Sequence, residues 1–171
     1  MQVEHHGLER PHQRAGEPGE YEVAVNDLAF VMKVTSLLDD ALVRVWLFGG
    51  WAEELQGLVP ARAHRDVDLL HPAEDFARVD ALLRSEPALA EIVAKRLAHK
   101  RAFALDGVMV EVFLVRSDAG GYYTDLPGAV THRWPADVFE ERQLGLRVAS
   151  VDALVGYRRM VERRSRGSEW P

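Results

Sequence analysis

The fold is decided by residues 43–70, which read VRVWLFGGWAEELQGLVPARAHRDVDLL. The run from Val43 to Phe48 is β-branched and aromatic apart from one arginine, which predicts a buried strand that stops at Gly49-Gly50. Residues 51–56 predict a short helix, and residues 66–70 predict a second strand. Strand, glycine turn, helix and strand therefore follow one another within 28 residues.

The segments on either side predict the remaining elements. Apolar residues at helical spacing precede the stretch, and a second helical stripe follows it. An Asp106-Gly107 pair between two apolar runs predicts a β-hairpin. Together they predict an α+β (α/β) domain whose mixed sheet is flanked by helices. The predicted segments are helices at 25–40 and 72–84, strands at 95–105 and 108–115, a loop-rich stretch at 117–135, a short strand at 146–148 and a last helix from its N-cap Ser150 to Arg164.

The length of 171 residues fits one domain, which we expect to span residues 21–171. Residues 1–20 have no apolar periodicity and predict a mobile tail, in which solvated histidines are favoured over a metal site. The N-terminus does not have the pattern of a secretory signal. The absence of cysteine excludes disulfides and a cysteine nucleophile and fits the cytoplasm, where we expect the protein.

The overall charge is informative about partners. A net charge of −6 disfavours nucleic acid as a partner and favours a cationic one. No apolar stretch approaches the length of a membrane span, so we expect no membrane partner.

Two carboxylates, Asp66 and Asp68, fall on one face of the second strand because side chains alternate along a strand. Carboxylates that converge on one point repel each other, and a divalent cation relieves the repulsion. Oxygen ligands favour Mg²⁺ or Mn²⁺ over zinc. An Asp-x-Asp pair is also common in turns and exposed strands. The prediction of a metal site therefore depends on the motifs that surround the pair.

Glu111 is the one charged residue between Val108 and Val115. A buried carboxylate must be paired, protonated or bound to a metal, because an isolated charge in the interior is costly. A two-residue turn at Asp106-Gly107 places Glu111 opposite Ala102, with Lys100 on the diagonal. A Lys100–Glu111 ion pair on a solvated sheet face therefore stands beside a role at a metal.

The Gly49-Gly50 pair allows the backbone to approach a ligand closely, and the N-terminus of the following helix offers N–H groups to phosphate oxygens. Alone, such a pair is also typical of a tight turn. When Asp-x-Asp and a later carboxylate follow it, the pair predicts a phosphate site beside two metal ions held by three carboxylates, as in-line phosphoryl or nucleotidyl transfer requires.

Residues 48–52 (FGGWA), together with Gly57, Arg62 and the run from His64 to Leu69, resemble the signature of small antibiotic nucleotidyltransferases of the lincosamide and aminoglycoside adenylyltransferase type. The resemblance extends more loosely over residues 25–165. It implies the polymerase-β-like nucleotidyltransferase core.

The resemblance implies a role for each acid. Asp66 and Asp68 would hold Mg²⁺ (or Mn²⁺) and the nucleoside triphosphate, for which we expect ATP. Glu111 would complete the metal site and take the proton from the acceptor hydroxyl. The third carboxylate of the superfamily is more often aspartate, and Glu111 is one methylene longer.

The resemblance also implies that Gly49 and Gly50 bind the nucleotide, with His64 and Arg65 flanking the site. Many members of the superfamily have Gly-Ser where this chain has Gly49-Gly50, so no hydroxyl contacts the phosphate here. An exposed surface charge accounts for Arg65 equally well.

The residues together with the resemblance imply a Mg-dependent enzyme that moves a nucleoside monophosphate to a hydroxyl of a small cationic molecule, such as an aminoglycoside or lincosamide, and releases pyrophosphate. Residues 116–171 would wall the acceptor side, where Tyr122, Tyr123 and Trp134 could hold sugar rings or pack on the last helix. We expect a monomer or a homodimer. The alternative is an antitoxin-like or regulatory protein of the same fold that acts on or binds a protein partner.

Overall fold

The computed structural model describes residues 26–167, so the predicted tail at 1–20 lies outside the described residues. None of the helices in the described part is long and apolar enough to cross a membrane. The elements in chain order are helix α1 (Leu28–Asp40), strand β1 (Trp46–Phe48), helix α2 (Gly49–Leu55), strand β2 (Asp66–Pro72), helix α3 (Ala77–Ser85), strand β3 (Ala90–Glu91), a 3₁₀ turn (Val93–Lys95), strands β4 (Lys100–Leu105), β5 (Val108–Asp118), β6 (Gly121–Leu126), β7 (Val130–Arg133), β8 (Glu141–Gln143) and β9 (Leu146–Val148), and helix α4 (Val151–Gly167).

The strands of residues 26–167 form one mixed sheet in the order β3-β4-β5-β2-β1-β9-β8, with β6 joined to β5 and β7 joined to β6. The β2–β5 and β1–β9 pairs are parallel, and the other pairs are antiparallel. This architecture confirms the predicted α+β class with a mixed sheet and flanking helices.

The register aligns four strands at the level of the predicted acids. Phe48 pairs with Asp68, Asp68 with Glu111, and Glu111 with Ala102. The predicted hairpin is confirmed, since Leu105 pairs with Val108 and Asp106-Gly107 forms the turn with positive φ at both residues.

Helices cover both faces of the sheet. On one face Arg101 of β4 donates to Asp80 of α3 at 2.7 Å, and its guanidinium lies 4.3 Å from the centre of the Phe76 ring. On the other face the ring of Tyr157 in α4 meets that of Phe48 edge-on at 4.9 Å. The second face, covered by α4, is the one that carries Asp66, Asp68 and Glu111.

Five predicted boundaries are wrong. The strand predicted from Val43 begins only at Trp46. The helix predicted from residue 51 begins at Gly49, so the Gly49-Gly50 turn out of β1 is also the first two residues of α2. The 117–135 stretch contains β6 and β7, because Gly120 and the Pro127-Gly128 pair lie in the turns between its strands. Pro72 ends β2 by pairing with Val115, so α3 begins only at Ala77. The strand predicted from residue 95 begins at Lys100, and the 3₁₀ turn precedes it.

Candidate active site

One face of the sheet and α4 enclose a cleft of about 400 Å³. Asp66 and Asp68 of β2, Glu111 of β5 and the Gly49-Gly50 turn line it from the sheet side. Successive turns of α4 supply the opposite wall with Leu154, Tyr157, Arg158, Val161 and Glu162. Of the residues that the sequence predicts for catalysis, metal binding and nucleotide binding, all except His64 and Arg65 line this cleft.

Asp66 and Asp68 present bare carboxylates. Within residues 26–167 neither side chain accepts a hydrogen bond or forms an ion pair. Burial, together with the negative charges of Asp66 and Glu111, raises the pKa of Asp68 to about 7. The acids in this part of the cleft therefore carry more negative charge than the neighbouring basic groups neutralise.

The start of β2 is held by Asn26. Its amide Nδ2 donates to the carbonyl oxygens of His64 and Asp66 at 3.2 and 3.0 Å, and its Oδ1 accepts from the indole of Trp51 at 3.0 Å. Asn26 thus fixes the strand that carries the aspartates against α2, a role that local sequence does not reveal.

Glu111 is only 6% exposed and lies between two lysines. Lys95 donates to Oε1 at 2.5 Å, and Lys100 donates to Oε2 at 3.0 Å. Burial alone would raise the pKa of Glu111, but the two hydrogen bonds outweigh it and hold the pKa below its usual value. The Lys100–Glu111 pair exists, although the face is a buried cleft floor and not the solvated surface expected for such a pair.

Lys95 was not among the predicted residues. Its contact with Glu111 spans 16 positions and a 3₁₀ turn, so no local periodicity points to it. The available signal is compositional: the 21 basic residues include three lysines, namely Lys33, Lys95 and Lys100. Two of these meet at one carboxylate.

The protein side chains do not by themselves complete a metal site. Among the described residues, no group of three or more His, Asp and Glu side chains is arranged to hold a metal ion. The donor set still suits Mg²⁺, which takes one or two carboxylates and leaves other positions to substrate phosphates. Asp66 and Asp68 are free to serve as that pair, whereas both oxygens of Glu111 are engaged by lysines.

Gly49 lies directly against the Asp68 side chain. Its φ of +61° lies in the left-handed region, and a Cβ atom there would lie 2.3 Å from Oδ2 of Asp68. A side chain at position 49 would therefore displace the carboxylate.

His64 supports the second glycine. A Cβ atom at Gly50 would lie 2.8 Å from His64 Nδ1. The His64 ring packs on Trp51, its Nε2 contacts Glu54 Oε2 at 2.8 Å, and its side chain is 5% exposed. The structure thus brings His64 behind the glycine turn and not into the cleft.

Two arginines near the cleft, Arg65 and Arg158, differ in their contacts. Arg65 is exposed and has no ion pair or hydrogen bond from its side chain within the described residues. Arg158 of α4 lines the cleft and donates from Nε to Glu53 at 3.0 Å.

The aromatic residues expected on the acceptor side do not line the cleft. Trp134 is buried and stacks on Tyr157 with ring centres 5.6 Å apart, which confirms the packing interpretation. Tyr122 packs on Phe139, and Tyr123 lies under Arg133. Four acids of this segment are also engaged, since Asp118 pairs with Arg133, Asp125 with Arg116, Glu141 with Gln56 and Asp137 with Ser150.

Comparison with known proteins gives a consistent result. The sequence model of the aminoglycoside-2''-adenylyltransferase family matches residues 30–156, which is more than half of the chain. No curated protein sequence matches.

Two solved structures illustrate the likeness in fold. ANT(2'')-Ia in complex with adenylyl-2''-tobramycin aligns with a TM-score of 0.60 and 17% identity over 84% of this chain and 80% of that one. The lincomycin-bound lincosamide antibiotic adenylyltransferase LnuA aligns with a TM-score of 0.60 and 17% identity over 75% of this chain and 84% of that one. These matches confirm the predicted nucleotidyltransferase core.

Proposed function

The chain belongs to the aminoglycoside-2''-adenylyltransferase family, and from that premise we propose that it transfers the adenylyl group of ATP to a hydroxyl of a small cationic acceptor. Pyrophosphate is the leaving group. We further propose that the acceptor is an antibiotic of the aminoglycoside or lincosamide type and that the reaction takes place in the cytoplasm, where ATP is made.

One observation supports this proposal above the others: two bare aspartates lie beside a glycine turn in a cleft. Asp66 and Asp68 would hold Mg²⁺ (or Mn²⁺), which when bound neutralises phosphate charge and orients the α-phosphate for in-line attack. The uncompensated charge that raises the pKa of Asp68 is what a divalent cation would relieve.

The nucleotide would lie along the glycine turn. The backbone of Gly49 and Gly50 lines the cleft next to Asp68, and neither residue has a side chain to keep a phosphate away. Arg65 is our candidate for a phosphate contact from outside the cleft, because its guanidinium is free within residues 26–167. His64 acts indirectly, by fixing the position of Gly50.

Glu111 would take the proton as the acceptor oxygen attacks the α-phosphorus and the bond to pyrophosphate breaks. This role requires one of its oxygens to leave a lysine. A carboxylate whose pKa is held low is fully ionised at neutral pH, so it is ready to accept once it is freed.

The acceptor would enter between the sheet and α4. Because α4 lies within residues 116–171, this segment would form the wall of the acceptor site. Glu162 lines this side of the cleft without an ion pair within residues 26–167, so it favours an ammonium-bearing molecule. The engaged acids and aromatic residues of 117–141 are not needed for this recognition.

The test is to incubate the purified chain with each nucleoside triphosphate, Mg²⁺ and a panel of antibiotics, and to search by mass spectrometry for a product heavier by one nucleoside monophosphate. We expect ATP to adenylylate at least one cationic antibiotic, Asp66→Asn to abolish the product and Asp118→Asn to leave it unchanged. Failure to modify any antibiotic, with labelling of a purified protein instead, would overturn the proposal.

A further inference from the structure

Two of the chain's three lysines bind one carboxylate at the floor of the cleft, and they do so unequally. Lys100 belongs to strand β4, is 15% exposed, and its ammonium lies 5.3 Å from the centre of the Phe113 ring. Lys95 ends the 3₁₀ turn and is 38% exposed. Within residues 26–167, the side chain of Lys95 has a single hydrogen-bond partner, Oε1 of Glu111.

This difference separates a fixed cation from a movable one. Lys100 is held by its strand, by the aromatic ring and by Glu111 together. Lys95 has a flexible four-carbon stem that extends from a turn outside the central strands, and one contact retains it. The two ammonium groups therefore have different freedom to exchange partners.

The position of Lys95 lies within reach of a ligand at the aspartates. Glu111 pairs with Asp68 across neighbouring parallel strands, which lie about 4.8 Å apart. An ammonium group on Glu111 needs to move only a few ångströms to meet a phosphate beside Asp68. Phosphate carries more negative charge than one carboxylate and offers several acceptor oxygens, so it competes well for the cation.

We propose that Lys95 binds the phosphate groups of the incoming nucleotide, leaves Glu111 in doing so, and thereby frees Oε1 for the acceptor hydroxyl. Lys100 stays on Oε2 and positions the carboxylate. The inference rests on the proposed function, since it assumes that a nucleoside triphosphate enters this cleft. Under this proposal Glu111 becomes available as a base only after the nucleotide has bound. Nucleotide binding therefore precedes activation of the acceptor hydroxyl.

The small number of lysines permits a direct test. Lysine labelled with ¹³C at Cε gives three signals, which the Lys33→Arg, Lys95→Arg and Lys100→Arg variants assign. Adding ATP and Mg²⁺ without acceptor should shift the Lys95 signal most and the Lys100 signal less. The Lys33 signal should stay in place, because Lys33 pairs with Asp106 in an exposed position outside the cleft.

Binding affinity provides the second measurement. Calorimetric titration with ATP and Mg²⁺ should give roughly tenfold weaker binding for Lys95→Gln, the loss of one charge-assisted hydrogen bond. Lys95→Arg should recover part of the affinity, and Lys33→Gln should bind like the wild type. The KM for ATP should rise more than kcat falls, as expected of a residue that binds the nucleotide.

Two results would overturn the inference: a Lys95 signal that stays unmoved while ATP binds, or unchanged ATP affinity in Lys95→Gln. If either occurs in a protein that still adenylylates its acceptor, the inference fails and the proposed function stands. If the wild type binds no nucleotide, the proposed function falls and this inference falls with it.

Discussion

Asp68 and Asp80 are two aspartates on opposite faces of the protein, and their surroundings differ completely. Asp80 accepts hydrogen bonds from Arg101 and Arg96 at 2.7 and 3.0 Å. Burial opposes ionisation of Asp80, but the hydrogen bond from Arg101 and the nearby arginine charges outweigh it and lower the pKa. Asp68 has no such partner in the described residues, and its pKa rises to about 7.

The difference separates residues that stabilise the fold from residues that serve the site. Where an acid joins a helix to the sheet, as Asp80 does, the chain supplies arginines. Where acids line the cleft, the chain leaves them uncompensated, and an unpaired buried charge costs stability. Perturbed pKa values in a cleft are typical of functional sites, and this contrast can be tested.

The largest effect is expected for Asp68→Asn. Loss of a proposed metal ligand should lower kcat by on the order of 10²- to 10³-fold, the scale for losing one electrostatic contact to the transition state. The protein should remain folded, because asparagine relieves the repulsion from Asp66 and Glu111. Steady-state kinetics and circular dichroism measure the two effects, and full activity in this variant would exclude Asp68 from the site.

The pH dependence of stability should follow from the same residue. The folded pKa of Asp68, about 7, lies above its ordinary value of 3.8, so the stabilising contribution of the neutral carboxyl is complete below about pH 4 and is lost as pH rises through 7. We therefore compare the two proteins in the presence of a metal chelator. Between pH 4 and pH 8, the free energy of unfolding of the Asp68→Asn variant should rise relative to that of the wild type by on the order of a few kcal/mol. Urea titrations across this range provide the measurement; parallel curves for the two proteins would contradict the prediction.

Gly49→Ala should have an intermediate effect, and Gly57→Ala is its matched control. Both glycines have positive φ, and alanine in that region costs about 1–2 kcal/mol. At Gly49 the added Cβ atom would clash with Asp68, whereas at Gly57 no atom lies within 4 Å of the added Cβ. We expect similar losses of stability from backbone strain, with roughly tenfold to hundredfold lower kcat for Gly49→Ala alone. Equal kcat in the two variants would show that the glycine does not position the acid.

The smallest effect on activity is expected for Asp80→Asn. Removing a charged acceptor from two arginines should lower the free energy of unfolding by about 1–3 kcal/mol. Activity per folded molecule should stay unchanged, because Asp80 lies on the face away from the cleft. Chemical denaturation and kcat on the same preparation test both statements, and a loss of kcat would show that the two faces are coupled.

The sequence predicts the cleft floor better than its surroundings. The position of Glu111 opposite Ala102 follows from local sequence, because the Asp106-Gly107 turn fixes the register of the hairpin. The same-face placement of Asp66 and Asp68 follows from strand alternation. Both inferences rest on backbone geometry over a few residues.

What the sequence does not predict depends on contacts between distant segments. Lys95 meets Glu111 through a 3₁₀ turn, and Asn26 reaches β2 from 40 positions away. The glycines and prolines of 117–135 indicate turns, but the cross-strand pairing of Tyr123 with Arg133 is needed to make them a hairpin. His64 packs behind Gly50 because of the path of the chain after α2, which local pattern does not specify.

The helix α4 forms one wall of the cleft, and the lining residues near its start also pack in the core whereas those further along it do not. Leu154 is buried in the core and Tyr157 packs on Phe48, whereas Val161 and Glu162 lie one turn further on and stay exposed along the cleft. Substitutions at these last two positions change the shape and charge of the opening without disturbing the core or the aspartates. For an acceptor that enters here as proposed, single substitutions in α4 would therefore change which molecules fit while the reaction chemistry stays constant.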